Sequence, residues 1–103
     1  MRSQLHSIVV PVYQSRSSLE TLVERVSKVM KEANICFEMV LVDDGSQDDS
    51  FGEIKRLASL HAFVRGFRLS RNFGHQAALA IGLRESRGAF VAIIDDDLQD
   101  PPE

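Results

Sequence analysis

The chain alternates between short, continuous apolar runs and longer stretches in which apolar residues recur at helical spacing. Continuous runs of this kind are typical of strands that are buried on both faces of a parallel sheet. Spacings of three and four residues indicate helices with one apolar face. The predicted strands cover residues 7–12, 37–42, 63–69 and 89–94.

The helix ends are predicted from capping residues. Ser17 and Glu20 form a capping box for the first helix. The second helix follows three candidate caps, Asp48–Ser50, and the third has Gly88 as its C-terminal stop. The first helix is predicted at about 17–34 and the third at about 73–86, and the second should run from its caps to near His61.

The resulting order, β-α-β-α-β-α-β with short connections, predicts an α/β fold. We expect a Rossmann-like, mostly parallel sheet with helices on both faces. The third strand carries Arg65 and Arg68, which an edge strand tolerates better than a central one.

Composition narrows the class of protein. The chain has 103 residues, a net charge of −3 and 44% hydrophobic residues, as expected for one globular domain. The mildly acidic balance lacks the basic field of a nucleic-acid binder, so we expect no nucleic-acid partner. Cys36 is the one cysteine, and we find neither a signal segment nor a long apolar span, which favours a cytoplasmic location.

The last apolar run stops abruptly in a group of carboxylates. In an extended segment, residues two apart project to the same side, so Asp95, Asp97 and Gln99 can converge. Oxygen ligands of this kind suit Mg²⁺ or Mn²⁺. A second acidic pair, Asp43 and Asp44, closes the second strand, and ligands of such sheets bind at the carboxyl ends of the strands. The sequence therefore predicts a metal-assisted ligand site at that edge.

Four segments resemble, in order and spacing, the family 2 glycosyltransferases of GT-A fold. The D-x-D-L-Q-x-P-P-E and R-N-F-G-H patterns resemble more narrowly the polyprenyl-phosphate sugar transferases. The segments are Ser7–Tyr13 (SIVVPVY), Val42–Asp48 (VDDGSQD), Arg71–Gly74 (RNFG) and Asp95–Glu103 (DDDLQDPPE).

The resemblance implies the transfer of a sugar, with inversion, from a UDP- or GDP-sugar to a polyprenyl phosphate. It implies that Asp95, Asp97 and Gln99 hold the divalent ion against the diphosphate. The nucleotide-sugar contacts that it implies are Pro11, Tyr13, Asp43, Asp44, Arg71 and Asp96. For His75, a packing or capping role is favoured over a catalytic one.

One departure from the family pattern concerns the segment after the first strand. The family often reads P-x-Y-N-E there, whereas this chain reads Pro11-Val12-Tyr13-Gln14-Ser15. The usual glutamate contact is absent at this position.

The resemblance also implies that residues 1–103 are the N-terminal, nucleotide-sugar-binding half of a GT-A domain, truncated after the D-x-D motif. We expect this half to be inactive alone, and we expect an exposed sheet face or edge to favour a homo-oligomer. The full-length protein is expected at the cytoplasmic face of the membrane.

Two alternatives remain at this point. A phosphotransferase of the haloacid dehalogenase type also places D-x-D at a strand end, although normally at the first strand. A receiver-like signalling module matches the length and the α/β alternation, but its acidic pair should follow the first strand.

Overall fold

The computed structural model describes residues 4–95 as a parallel sheet with helices on both faces, which confirms the predicted α/β fold. The strands are β1 (His6–Val12), β2 (Phe37–Asp43), β3 (Val64–Arg68) and β4 (Phe90–Ile93). The helices are α1 (Leu19–Glu32), α2 (Ser50–Leu60) and α3 (His75–Glu85).

The strand order is β3-β2-β1-β4, so the direction of winding reverses between β1 and β4. All the strand pairs are parallel, with Val12 opposite Asp43 on one side of β1 and Val9 opposite Ile93 on the other. The edge position predicted for β3 is confirmed. Ligands of open parallel sheets bind at such a reversal, at the carboxyl ends of the strands.

Side chains of the central strands alternate between two hydrophobic clusters. On one face, Val10 and Leu41 pack with the apolar faces of α1 and α2. On the other face, Val9 and Val42 pack with Ala78 of α3. This alternation explains the continuous apolar runs, because both faces of β1 and β2 are covered.

The start of α1 corrects the sequence prediction. The N-cap is Ser18 rather than Ser17, and the Ser18 side chain makes no capping hydrogen bond. Its hydroxyl donates instead to the Ser15 carbonyl, and the Glu20 carboxylate lies 3.2 Å from Arg56 of α2. The predicted capping box is wrong because the helix begins one residue later than expected and the Glu20 carboxylate pairs with Arg56.

The end of α3 differs as well. The helix ends at Glu85 with Ser86 as C-cap, so Gly88 is not its stop. Gly88 precedes β4, and a Cβ there would lie 2.7 Å from the Leu5 carbonyl oxygen and the Ser7 nitrogen. Its role is to allow the close approach of two backbone segments.

A buried ionic network fastens the amino-terminal edge of the sheet on the α3 face. The Glu38 carboxylate accepts hydrogen bonds from the Ser7 hydroxyl (2.6 Å), Arg65 Nη1 (3.1 Å) and the Arg87 amide (2.8 Å). Arg65 Nη1 also donates to the carbonyl of Glu85 at 2.7 Å. The network therefore holds the last residue of α3 and the connection to β4.

Strand β4 is exposed along its length. Phe90, Val91 and Ile93 have relative accessibilities of 54%, 44% and 49%. None of the helices between residues 4 and 95 has the length and apolarity needed to cross a bilayer.

Candidate functional site

A cleft of about 350 Å³ lies at the carboxyl edge of the sheet, where the winding reverses. It brings together the end of β1, the turn after β2, the segment before α3, and Asp95, which lies two residues beyond the end of β4. Its lining residues are Pro11, Val12, Tyr13, Asp44, Asn72, Gly74, His75 and Asp95. Segments that follow all four strands therefore lie together at the carboxyl edge, where the sequence predicts a ligand site.

Tyr13 and Pro11 form the β1 side of the cleft. Pro11 is buried, whereas Tyr13 is 44% exposed and stands just beyond the end of the strand. An exposed aromatic ring at a cleft offers a flat surface on which a base or a ribose can stack. Both residues line the cleft, and their role as nucleotide contacts stays a prediction.

Asp43 and Asp44 separate onto opposite sides of the sheet. Asp43 is fully buried and does not line the cleft. Its carboxylate accepts hydrogen bonds from the amide and hydroxyl of Ser46 and lies 3.8 Å from Arg68 Nε. Asp43 therefore shapes the turn after β2.

Asp44 faces the cleft and holds the segment before α3. Its Oδ1 accepts hydrogen bonds from the amides of Phe73 (3.0 Å) and Gly74 (3.2 Å). An ionised carboxylate is a strong acceptor for such donors. Asp44 is 5% exposed and therefore forms part of the cleft wall while it holds the neighbouring loop.

Gly45 allows the turn after β2 to touch that same segment. Its φ is 71°, and a Cβ there would lie 2.3 Å from the carbonyl carbon of Arg71. Only glycine tolerates both the dihedral angle and the contact. The two loops are consequently packed backbone to backbone.

Arg71 lies next to the cleft but is not among its lining residues. Its side chain is exposed, and the guanidinium carbon is 4.8 Å from the ring centroid of Phe73. Cation–π contacts at exposed sites are weak. The Arg71 guanidinium can therefore leave Phe73 for a phosphate at a small cost in free energy.

The predicted metal ligands are only partly described. Asp95 is exposed and lines the cleft together with Tyr13 and Asp44. Asp96, Asp97 and Gln99 lie outside the described residues. Within residues 4–95, no group of three histidine, cysteine, aspartate or glutamate side chains is arranged to hold a metal. The Asp95 carboxylate is by its chemistry a suitable ligand for Mg²⁺ or Mn²⁺.

Sequence reasoning did not select Asn72, Gly74 and His75, which nevertheless line the cleft. His75 is the first residue of α3 and is exposed rather than packed. The R-N-F-G-H pattern contains all three residues, whereas the resemblance implies a nucleotide-sugar contact within it for Arg71 alone.

The loops after β1 and β2 are joined by side chains. The side-chain oxygen Oε1 of Gln14 accepts a hydrogen bond from the backbone amide of Gln47 at 2.6 Å. The backbone amide of Ser15 donates to Oγ of Ser50, the first residue of α2, at 3.0 Å. Asp48 joins the same two loops, because its carboxylate accepts a hydrogen bond from the Arg16 amide. Burial raises the pKa of Asp48, but hydrogen bonds from Ser50 and the Arg16 amide outweigh this and lower it.

A family model for glycosyl transferase family 2 matches residues 7–103. The chain belongs to this family. The matched range contains both the acidic pair at the end of β2 and the D-x-D motif that begins at Asp95. The match favours this family over the phosphotransferase and receiver-module alternatives.

Named relatives of this family 2 chain support the narrower resemblance. An undecaprenyl-phosphate 4-deoxy-4-formamido-L-arabinose transferase of Pseudomonas savastanoi pv. phaseolicola is 46% identical over 99 residues, which cover 94% of the chain and 29% of that relative. The chain spans about three tenths of the length of the curated relatives it matches.

Solved structures share the fold. The mannosyltransferase PcManGT of Pyrobaculum calidifontis, solved with GDP-Man and Mn²⁺, superposes with a TM-score of 0.78 at 23% identity, over 93% of the chain and 28% of that structure. TarS of S. aureus superposes with a TM-score of 0.74 at 26% identity, over 89% of the chain and 27% of that structure. The sheet described above is thus the GT-A type of α/β arrangement.

Proposed function

We propose that this chain forms the nucleotide-sugar-binding half of a glycosyltransferase that transfers a sugar to a polyprenyl phosphate with inversion. The observation that carries the proposal is the cleft at the winding reversal, which Tyr13, Asp44 and Asp95 line in a family 2 chain. The name of the Pseudomonas relative supports the polyprenyl phosphate acceptor.

Each side of the cleft has a distinct part in binding the donor. Tyr13 stacks against the base or ribose, and Asp44 accepts a hydrogen bond from a base N–H or a ribose hydroxyl. Arg71 swings from Phe73 to a phosphate, and Asp96 adds a further contact to the nucleotide sugar. Asp43 contributes by fixing the turn that carries Asp44.

The charge of the cleft calls for a cation. Asp44 and Asp95 present negative charge to a diphosphate that is itself an anion, so direct contact is unfavourable. We propose that Asp95, with Asp97 and Gln99, holds Mg²⁺ or Mn²⁺, which when bound offsets the charge on the departing nucleoside diphosphate. The Mn²⁺ reported with GDP-Man in PcManGT supports this assignment.

In the proposed reaction, a phosphate oxygen of the acceptor attacks the anomeric carbon while the bond to the nucleoside diphosphate breaks. The acceptor oxygen is already ionised near neutral pH, so a strong general base is not needed. The polyprenyl chain of the acceptor is a membrane lipid. We therefore propose that the longer protein works at the cytoplasmic face of the membrane and that this half is inactive alone.

Calorimetric titration with UDP and GDP, each with and without Mn²⁺, tests the donor site. We expect binding that requires the metal and that is lost in Asp97→Asn and weakened in Asp95→Asn. Glu24→Gln, an exposed change on α1, is the matched control. Equal binding of UDP with and without Mn²⁺ would remove the metal from the proposal.

A second comparison separates nucleoside recognition from charge. Uridine and guanosine carry no phosphate, so their binding should be weak but independent of Mn²⁺. Incubation of the chain with a nucleotide sugar and polyprenyl phosphate should give no product, and robust product formation would refute the proposal that the half is inactive alone.

A further inference from the structure

Gln14 has an unusual backbone conformation directly after Tyr13. Its φ is 55°, in the left-handed region that residues with a side chain rarely adopt. A non-glycine residue stays in this region when surrounding contacts hold it there. The contacts of Gln14 therefore show what the conformation serves.

The Gln14 side chain crosses to the turn after β2. Its Oε1 accepts hydrogen bonds from the amides of Gln47 (2.6 Å) and Asp48 (3.2 Å). The backbone amide of Gln14 donates to Ser46 Oγ at 2.8 Å, and the Ser46 hydroxyl in turn donates to the buried Asp43 carboxylate. One residue thus makes three hydrogen bonds to a loop more than thirty positions away in the chain.

This bridge fixes the direction in which the chain leaves β1. Tyr13 lies in the chain between the end of β1 and the bridged Gln14, so its backbone has little conformational freedom. The Tyr13 ring is 44% exposed and lines the cleft. The bridge therefore helps to set the direction in which this ring leaves the backbone.

We propose that Gln14 is a positioning residue of the cleft, which places the Tyr13 ring for a nucleotide by bridging the loops after β1 and β2. The effect on ligand binding rests on the proposed function, whereas the effect on Tyr13 can be measured without a ligand. The carbonyl oxygen is the group required. A glutamate retains an acceptor at the same reach, and a methionine has similar length without one.

The composition of the chain provides a specific probe. Tyr13 is the single tyrosine and there is no tryptophan, so intrinsic fluorescence reports on this ring alone. Quenching by acrylamide measures how accessible the ring is. We compare the wild-type chain with Gln14→Met and Gln14→Glu, and with Gln47→Met as matched control, since Gln47 contributes its backbone amide and its side chain is exposed.

We expect Gln14→Met to raise the quenching constant towards that of free tyrosine amide, and Gln14→Glu and Gln47→Met to keep the wild-type value. In titrations with UDP and Mn²⁺, Gln14→Met should bind about tenfold more weakly, which corresponds to about 1.4 kcal/mol. Circular dichroism of each variant confirms that the fold is retained.

Two results would overturn the proposal. Wild-type quenching in Gln14→Met would show that the bridge does not place the ring, and weaker UDP binding with unchanged quenching would make Gln14 a ligand contact instead. A wild-type chain that binds neither UDP nor GDP would refute the proposed function, while the quenching comparison would still decide the role of Gln14.

Discussion

Replacement of Glu38 by glutamine should destabilise the domain at neutral pH. The Glu38 carboxylate is 6% exposed and accepts three hydrogen bonds, including one from Arg65. A glutamine offers one acceptor oxygen and no charge, so at least one buried donor loses its partner. Hydrogen bonds to charged groups are worth about 1.5–3 kcal/mol each, and we therefore expect a loss of about 2 kcal/mol.

The pH dependence of the unfolding free energy provides a second, independent test of this prediction. Burial raises the pKa of Glu38, but the hydrogen bonds from Ser7, the Arg87 amide and Arg65 outweigh it, and the pKa lies below the ordinary value of 4.5. A carboxylate with a lowered pKa stabilises the fold fully above its unfolded pKa, and that stabilisation is lost as the pH falls through the folded pKa. The difference between wild type and Glu38→Gln should therefore shrink below about pH 4.5.

Urea unfolding followed by circular dichroism, from pH 7 down to pH 3, measures both effects. A loss of about 2 kcal/mol lowers the midpoint by about 1–2 M urea. Glu24→Gln on α1 removes an equal charge from an exposed position and should leave the midpoint unchanged. A Glu38→Gln midpoint equal to wild type at pH 7, or a difference that grows in acid, would refute the reasoning.

Further predictions concern the loops and the exposed strand. Asp44→Ala removes the acceptor for two amides before α3, so the unfolding free energy should fall by about 1–2 kcal/mol and metal-dependent UDP binding should weaken in calorimetry. Gly45→Ala should lower the melting temperature more than Gly74→Ala. Both residues have positive φ, but an added Cβ meets the Arg71 backbone only at Gly45. Replacing Val91 by lysine on β4 should abolish any self-association seen by sedimentation, since a charge on an edge strand opposes edge pairing. A monodisperse wild-type monomer would contradict that proposal.

The strands and their parallel arrangement could be predicted because burial on both faces leaves continuous apolar runs. Helix ends were harder to predict, since several polar groups compete for each one. At the start of α1, the sequence contains a capping pattern, yet Glu20 pairs with Arg56 from another helix. That partner is 36 positions away in the sequence, and only the packing of α1 against α2 brings it close.

The site was predictable as a set of segments and less so as a set of side chains. The parallel order brings the strand ends to one edge, which identifies the Tyr13, Asp44 and Asp95 region without any side-chain detail. The role of Gln14 could not be derived, because a left-handed residue that accepts hydrogen bonds from a distant turn has no local sequence signal other than its departure from the family pattern.

The acidic pair Asp43 and Asp44, at the end of β2, shows why adjacent carboxylates need not form one ligand set. Successive residues of a strand point to opposite faces, so the Asp43 side chain points to the sheet face that α1 and α2 cover, and the Asp44 side chain points to the face that α3 covers. The cleft lies on the α3 side, beyond the end of β1. Shifting the strand end by one residue would exchange the two roles. Their assignment therefore depends on where pairing with β1 stops, and the hydrogen bond from the Asp44 amide to the Val12 carbonyl at 2.8 Å sets that point.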